Sequence, residues 1–93
     1  MSNGVLLRIQ RAVREKRYRF TDHALEEADA DGLTEADVLN VLLTGALDST
    51  YTDDPRGVRY VVRGDVDVLE VDVVCRFRND GILLIIITVY VVD

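Results

Sequence analysis

Residues 82–92 read Ile-Leu-Leu-Ile-Ile-Ile-Thr-Val-Tyr-Val-Val, and this run decides the fold. It is rich in β-branched residues and apolar on both faces, broken only by Thr88 and Tyr90. At about half the length that a membrane-spanning helix requires, it reads as a strand. A strand apolar on both faces suits a central place in a sheet covered by helices on one side.

Upstream of that run, from Leu47 onward, the chain alternates with period two. Turn signals at residues 53–57, at Gly64-Asp65 and at Asn79-Asp80-Gly81 divide it into about four strands. In the strand 58–63, Val58, Tyr60 and Val62 share one face, and Arg59, Val61 and Arg63 share the other. Between residues 66 and 78, Val71, Val73, Cys75 and Phe77 keep one parity while Val66 and Val68 have the opposite one, so a bulge is expected near Leu69 or Glu70.

Before Leu47 the period changes to that of helices. Val5, Leu6, Ile9, Ala12 and Val13 form one stripe of a helix over residues 4–16. Tyr18, Arg19 and Phe20 form a short extended link, after which Thr21 or Asp22 caps a helix over about 22–30 that Gly32 ends. Thr34 with Asp37 resembles a capping box, and Leu33, Val38, Val41 and Leu42 carry an apolar face up to Gly45 as C-cap. The expected class is therefore α+β, with two or three N-terminal helices packed on a curled antiparallel sheet. Residues 1–93 form a single domain, since the length leaves no room for a second core.

The composition, 48% hydrophobic and 30% charged, is that of a globular chain. The N-terminal stretch is broken by arginines and has no apolar segment of signal-peptide type, so a cytoplasmic location is expected. Cys75 is the single cysteine and His23 the single histidine, too few for a disulfide framework or a four-ligand zinc site, and no cofactor is expected. Net charge is −6, but it is segregated. Arg8, Arg11, Arg14, Lys16, Arg17 and Arg19 precede a stretch from Asp22 to Asp54 that has no lysine or arginine. Any contact with nucleic acid must then come from a local basic surface.

His23 is the one side chain that titrates near neutrality in its unperturbed state, and it falls in the first turn of the second helix, where free backbone N–H groups favour a phosphate. The same residue can instead pack on the sheet and bond a carbonyl. Arg59, Arg63, Arg76 and Arg78 can clamp a phosphate bidentately, or pair across strands with Glu70 and Asp72. Thr88 and Tyr90 share a parity and face one surface, where Tyr90 can stack on a base or simply satisfy its hydroxyl. Paired aspartates at positions 29/31, 53/54 and 65/67 sit at turn signals, where aspartate bonds its own backbone, and no metal site is read from them. Cys75 alternates with Val73 and Phe77, as a buried small hydrophobe would.

Taken in order, Arg19-Phe20-Thr21-Asp22-His23-Ala24, then Gly32-Leu33-Thr34 to Val38, Gly45, Arg59-Tyr60-Val61-Val62 and Ile87-Thr88-Val89-Tyr90 resemble domain-of-unknown-function family 4258. That family looks like a branch of the RelE/ParE-type toxin superfamily of bacterial toxin–antitoxin pairs. The resemblance implies a RelE-like fold and metal-independent RNA cleavage, with an antitoxin protein as partner. On this chain it implies His23 as acid or base, Arg59 and Arg76 as stabilisers of the phosphorane, and Tyr90 and Thr88 as substrate-orienting groups; Arg63 and Arg78, from their place on the sheet, are further candidate contacts to the substrate. Where relatives often carry arginines after the His-Ala step, this chain reads Leu25-Glu26-Glu27-Ala28-Asp29-Ala30-Asp31-Gly32, and those acids repel a phosphate. The alternative is therefore a non-catalytic interaction module that keeps the fold, the basic face of the first helix meeting the acidic stretch of a second copy.

Overall fold

The computed structural model describes residues 4–92. Three helices, α1 (Gly4–Arg14), α2 (Asp22–Ala30) and α3 (Glu35–Thr44), accompany five strands: β1 (Tyr18–Phe20), β2 (Ala46–Tyr51), β3 (Arg59–Val66), β4 (Leu69–Phe77) and β5 (Leu84–Val91). The strands form one sheet in the order β1-β5-β4-β3-β2. All neighbours are antiparallel except β1, which runs parallel to β5 with Tyr18 opposite Leu84 and Phe20 opposite Ile86. The α+β class holds, but the sheet is mixed and has five strands rather than about four. The extra strand is the segment read as an extended link, which is too short to display a period and pairs with residues at the far end of the chain. With β1 in place, β5 lies between two neighbours in the interior of the sheet, the central position expected for it.

Local chemistry starts α2 and α3 and stops α1. The Thr21 side chain caps α2 by accepting from the Ala24 N–H at 3.1 Å. Thr34 and Asp37 complete a reciprocal capping box on α3, the kind of cap that contributes about 1 kcal/mol. α1 ends at Arg14, two residues before the expected boundary, because Lys16 takes the left-handed conformation (φ 59°) and turns the chain. The Lys16 N–H then donates to the Val13 carbonyl and that of Arg17 to the Ala12 carbonyl, so the last turn stays satisfied.

The core lies between the helices and one face of the sheet. Ile9, Val38, Val41 and Leu42 from α1 and α3 pack against Val62, Val71, Val73, Cys75, Leu84, Ile86 and Val89, all fully buried. Each large aliphatic side chain buried in this way contributes about 1.5–3 kcal/mol. Cys75 is among them, and burial pushes its thiol up to about 12, so it behaves as a small hydrophobe. Among the described residues, no helix is long and apolar enough to cross a membrane.

Two turn readings change. Gly64 lies inside β3, not in a turn, because α3 passes so close that a Cβ there would stand 3.2 Å from Val41 Cγ1 and 3.3 Å from the Gly45 Cα. The β3–β4 reversal falls instead at Asp67-Val68, between the paired Val66 and Leu69, with Asp67 at φ 54°. Aspartate is one of the few residues that tolerate that conformation. The parity change between Val66 and Val71 is thus a hairpin, not a bulge. The bulge in β4–β5 lies further on, where Cys75 faces Ile86 and Val74 faces Thr88, leaving Ile87 as the extra residue.

Candidate functional site

The helices cover one face of the sheet, and on the other the strand register lines side chains up in three rows. Tyr51 faces Arg59, and Arg19 and Arg76 both face Ile85. The pairing of Tyr60 with Cys75, carried one step along the ladder, sets Arg59 beside Arg76. The first row is therefore Tyr51, Arg59, Arg76, Ile85 and Arg19. The second is Ser49, Val61, Val74 and Thr88, and the third is Ala46, Arg63, Asp72 and Tyr90. Successive rows are about 7 Å apart, two residues along a strand.

The first row is closed over by the β2–β3 connection. Asp54-Pro55-Arg56-Gly57 forms a turn, the Gly57 N–H donating to the Asp54 carbonyl at 3.0 Å, with proline and glycine where such turns favour them. This turn lays the Asp54 carboxylate against the sheet, its side chain only 7% exposed. Oδ1 accepts from the Arg56 backbone N–H at 2.8 Å and lies 3.3 Å from Arg56 Nε, while Oδ2 lies 3.3 Å from Arg59 Nε. The Arg56 N–H chiefly, with the Arg56 and Arg59 guanidinium charges, holds the Asp54 carboxyl below its ordinary range. The Arg59 contact is close but poorly directed. Arg59 Nε is buried and has no hydrogen-bond partner among the described residues. The guanidinium also lies over the Tyr51 ring, 5.6 Å from its centroid.

Asp54, Arg56, Arg59 and Arg76 enclose a cavity of about 120 Å³ with Thr21, Ile85 and Ile87. That is well under the roughly 300–1,000 Å³ of ordinary small-molecule pockets, and it suits one ionic group held by guanidinium groups above an apolar floor. Two arginines side by side across strands repel one another. An anion between them relieves that repulsion, and Asp54 brings a carboxylate to Arg59.

The third row is organised differently. Arg63 donates to Asp72 through Nε (2.7 Å) and an Nη (3.0 Å), a bidentate pair whose carboxylate is almost fully buried. Those bonds raise the Arg63 pKa further above its ordinary value. Tyr90, opposite Asp72, has its hydroxyl pKa raised by partial burial and then by the Asp72 carboxylate. This is the cross-strand pairing that was the alternative to phosphate binding at Arg63.

The remaining candidates lie elsewhere. His23 is on α2, two residues after the cavity-lining Thr21, but does not line the cavity itself. Its ring is 65% exposed rather than packed on the sheet, and its Nε2 lies 3.3 Å from Glu27 Oε2. Glu27 Oε1 meanwhile accepts from the Val89 N–H at 3.0 Å, one of the β5 groups that the short β1 leaves unpaired. Thr88 is in the middle row, facing Val74. Arg78 is bound 3.0 Å from Asp80 within the β4–β5 connection, away from the cavity.

Sequence reasoning found Arg59 and Arg76 but not the groups around them: Arg19, Tyr51, Asp54, Arg56 and Thr21. Thr21 and Asp54 carried signals, as helix cap and turn residue, that were fully explained by local structure. Their second role comes from the register alone.

No curated protein and no solved structure matches the chain. A protein-family model does, described as "Domain of unknown function (DUF4258)", over residues 20–91. Its span runs from the last residue of β1 to the end of β5 and so takes in α2, the turn carrying Asp54 and, apart from Arg19, all three rows of the open face. The chain belongs to the DUF4258 family.

Proposed function

We propose that this chain is a toxin-like component of a bacterial toxin–antitoxin pair, with a RelE-like fold, that binds RNA phosphate on the open sheet face and cleaves it without a metal. The observation that carries this reading is the meeting of Arg59 and Arg76 over an apolar floor on the one sheet face that no helix covers. A scissile phosphate seated there has guanidinium groups to stabilise the charge of a phosphorane. The ribose 2′-oxygen attacks phosphorus and loses its proton to a base. The bond from phosphorus to the 5′-oxygen breaks, that oxygen takes a proton, and a cyclic phosphate remains. His23, two residues after the cavity-lining Thr21, is proposed for one of those transfers, which requires the scissile phosphate to lie at the α2 edge of the cavity. Thr88 and Tyr90 lie on the same face for contacts to the neighbouring nucleotides, and Tyr51 adds a ring beside Arg59. An antitoxin would silence the domain by covering this face.

The test is growth and RNA integrity in cells expressing the wild type, His23→Ala or Arg76→Ala at matched levels. Growth arrest with RNA fragmentation in the wild type alone is the expected result. Absence of both in all three strains would sink the ribonuclease reading.

One observation favours a second reading, a non-catalytic binding module that self-associates. An open groove of about 350 Å³ runs along α1, lined by Leu7, Arg8, Arg11, Arg14 and Glu15, and Leu7 is 59% exposed among these charges. This reading predicts salt-sensitive dimerisation and no toxicity.

A further inference from the structure

The cavity just proposed to seat a phosphate has an anionic wall of its own, because Asp54 lines it beside Arg56 and Arg59. Asp54 places a carboxylate against Arg59, on one side of the Arg59–Arg76 pair, yet it is held there by weak means. Its well-formed hydrogen bonds are to Arg56, inside its own turn, and its contact with Arg59 is 3.3 Å long and misdirected, leaving Arg59 Nε buried and unpartnered among the described residues. β2–β3 pairing stops at Tyr51 and Arg59, so residues 52–58 lie outside the ladder. Among the described residues, no sheet hydrogen bond ties the turn down.

We infer that Asp54 is a built-in competitor for an RNA phosphate, and that the β2–β3 turn must release the Arg59–Arg76 cavity before the phosphate enters. The inference rests on the phosphate reading of that cavity but not on cleavage. A phosphate presents several acceptor oxygens and can satisfy Arg59 Nε and Arg76 together, which the single tethered carboxylate does not. The device keeps like-charged neighbours neutralised when no ligand is present, and it sets a threshold that a stray weak anion does not pass.

The experiment follows the arginine Nε–H signals of Arg59 and Arg76 by NMR while two probes are added separately, inorganic phosphate and a short 2′-O-methyl oligoribonucleotide that cannot be cleaved. Asp54→Asn keeps an oxygen to accept from the Arg56 N–H but removes the charge, and it should bind both probes about tenfold more tightly than the wild type. Pro55→Gly keeps every charge while loosening the turn, and it should move the same way by a smaller factor. Asp80→Asn removes one charge from a different turn and should change nothing. Equal or weaker binding by Asp54→Asn overturns the inference, as does an equal gain in Asp80→Asn, which would make the effect one of net charge. A gain for inorganic phosphate alone overturns the RNA assignment. Unmodified RNA is then offered to the wild type and Asp54→Asn. If Asp54→Asn gains affinity but neither protein cleaves, the ribonuclease reading fails and the competitor stands. If the wild type cleaves and Asp54→Asn gains no affinity, the reverse holds.

Discussion

Arg63 and Arg59 stand on the same face of the same strand, about 13 Å apart along it, and each has met a carboxylate by a different route. The partner of Arg63 is Asp72, fixed on the neighbouring strand, almost fully buried and bidentate. The partner of Arg59 is Asp54, delivered by a turn, with one oxygen near the guanidinium and no well-directed bond. A pair built into the ladder is part of the fold, and its geometry cannot change unless strands move. A pair delivered by a turn can be exchanged. The difference separates the structural end of this face from the end proposed to bind phosphate.

The largest effect should come from disturbing the backbone behind the fixed end. A Cβ added at Gly45 would overlap the Arg63 carbonyl oxygen and stand 2.6 Å from that of Val41, so neither α3 nor β3 can stay in place. Gly45→Ala should cost about 3 kcal/mol, the upper end of the overpacking range, because backbone rather than a flexible side chain must give way. A thermal unfolding scan checks this, and a midpoint within a few degrees of the wild type would show that the α3–β3 contact is looser than described. Asp72→Ala comes next. It strips Arg63 of both hydrogen bonds, but the guanidinium is partly exposed and regains water, so the cost should be about 2 kcal/mol rather than that of a fully buried pair. For a domain of this size that corresponds to a fall in Tm of about 10 °C. Asp54→Asn should leave Tm nearly unchanged in the same scan, and a fall as large as that of Asp72→Ala would erase the distinction between the two ends.

What could be read in advance follows the range of the interactions. Thr21, Thr34 and Asp37 cap their helices through partners three residues away, and Leu6, Ile9, Ala12 and Val13 form a stripe within one helix, so both were visible as patterns. The apolar run of β5 announced a central strand because burial on two faces leaves a compositional mark. β1 left none, as three residues show no period and their partner strand closes the chain. Gly64 followed by Asp65 carries the marks of a turn, and only the approach of Val41 and Gly45 explains why that glycine belongs in a strand. The site divides in the same way. Arg59 and Arg76 were visible by residue type, whereas their adjacency depends on the β3–β4 register and their neutralisation on a turn that reads as ordinary. His23 was correctly placed at the start of α2, but its exposure and its pairing with Glu27 depend on how that helix lies along β5.

The smallest effect sharpens the comparison most, because it concerns which group holds Asp54. The largest cause of its lowered pKa is the Arg56 backbone N–H, ahead of either guanidinium charge. A carboxylate whose folded pKa is depressed adds stability above its ordinary value of 3.8 and loses that contribution as pH falls through the lower folded value. The contribution of Asp54 to the turn should therefore persist through mildly acidic solution and fade only below the usual aspartate range. Carboxyl carbon NMR over an acid titration should show Asp54 with its midpoint below 3.8. In Arg59→Gln that midpoint should rise only slightly, since the Arg56 N–H remains. A rise all the way to the ordinary value would mean that Arg59 holds Asp54 as firmly as Arg63 holds Asp72. The two ends of the face would then be built alike, and the turn would have no more freedom to leave than a strand.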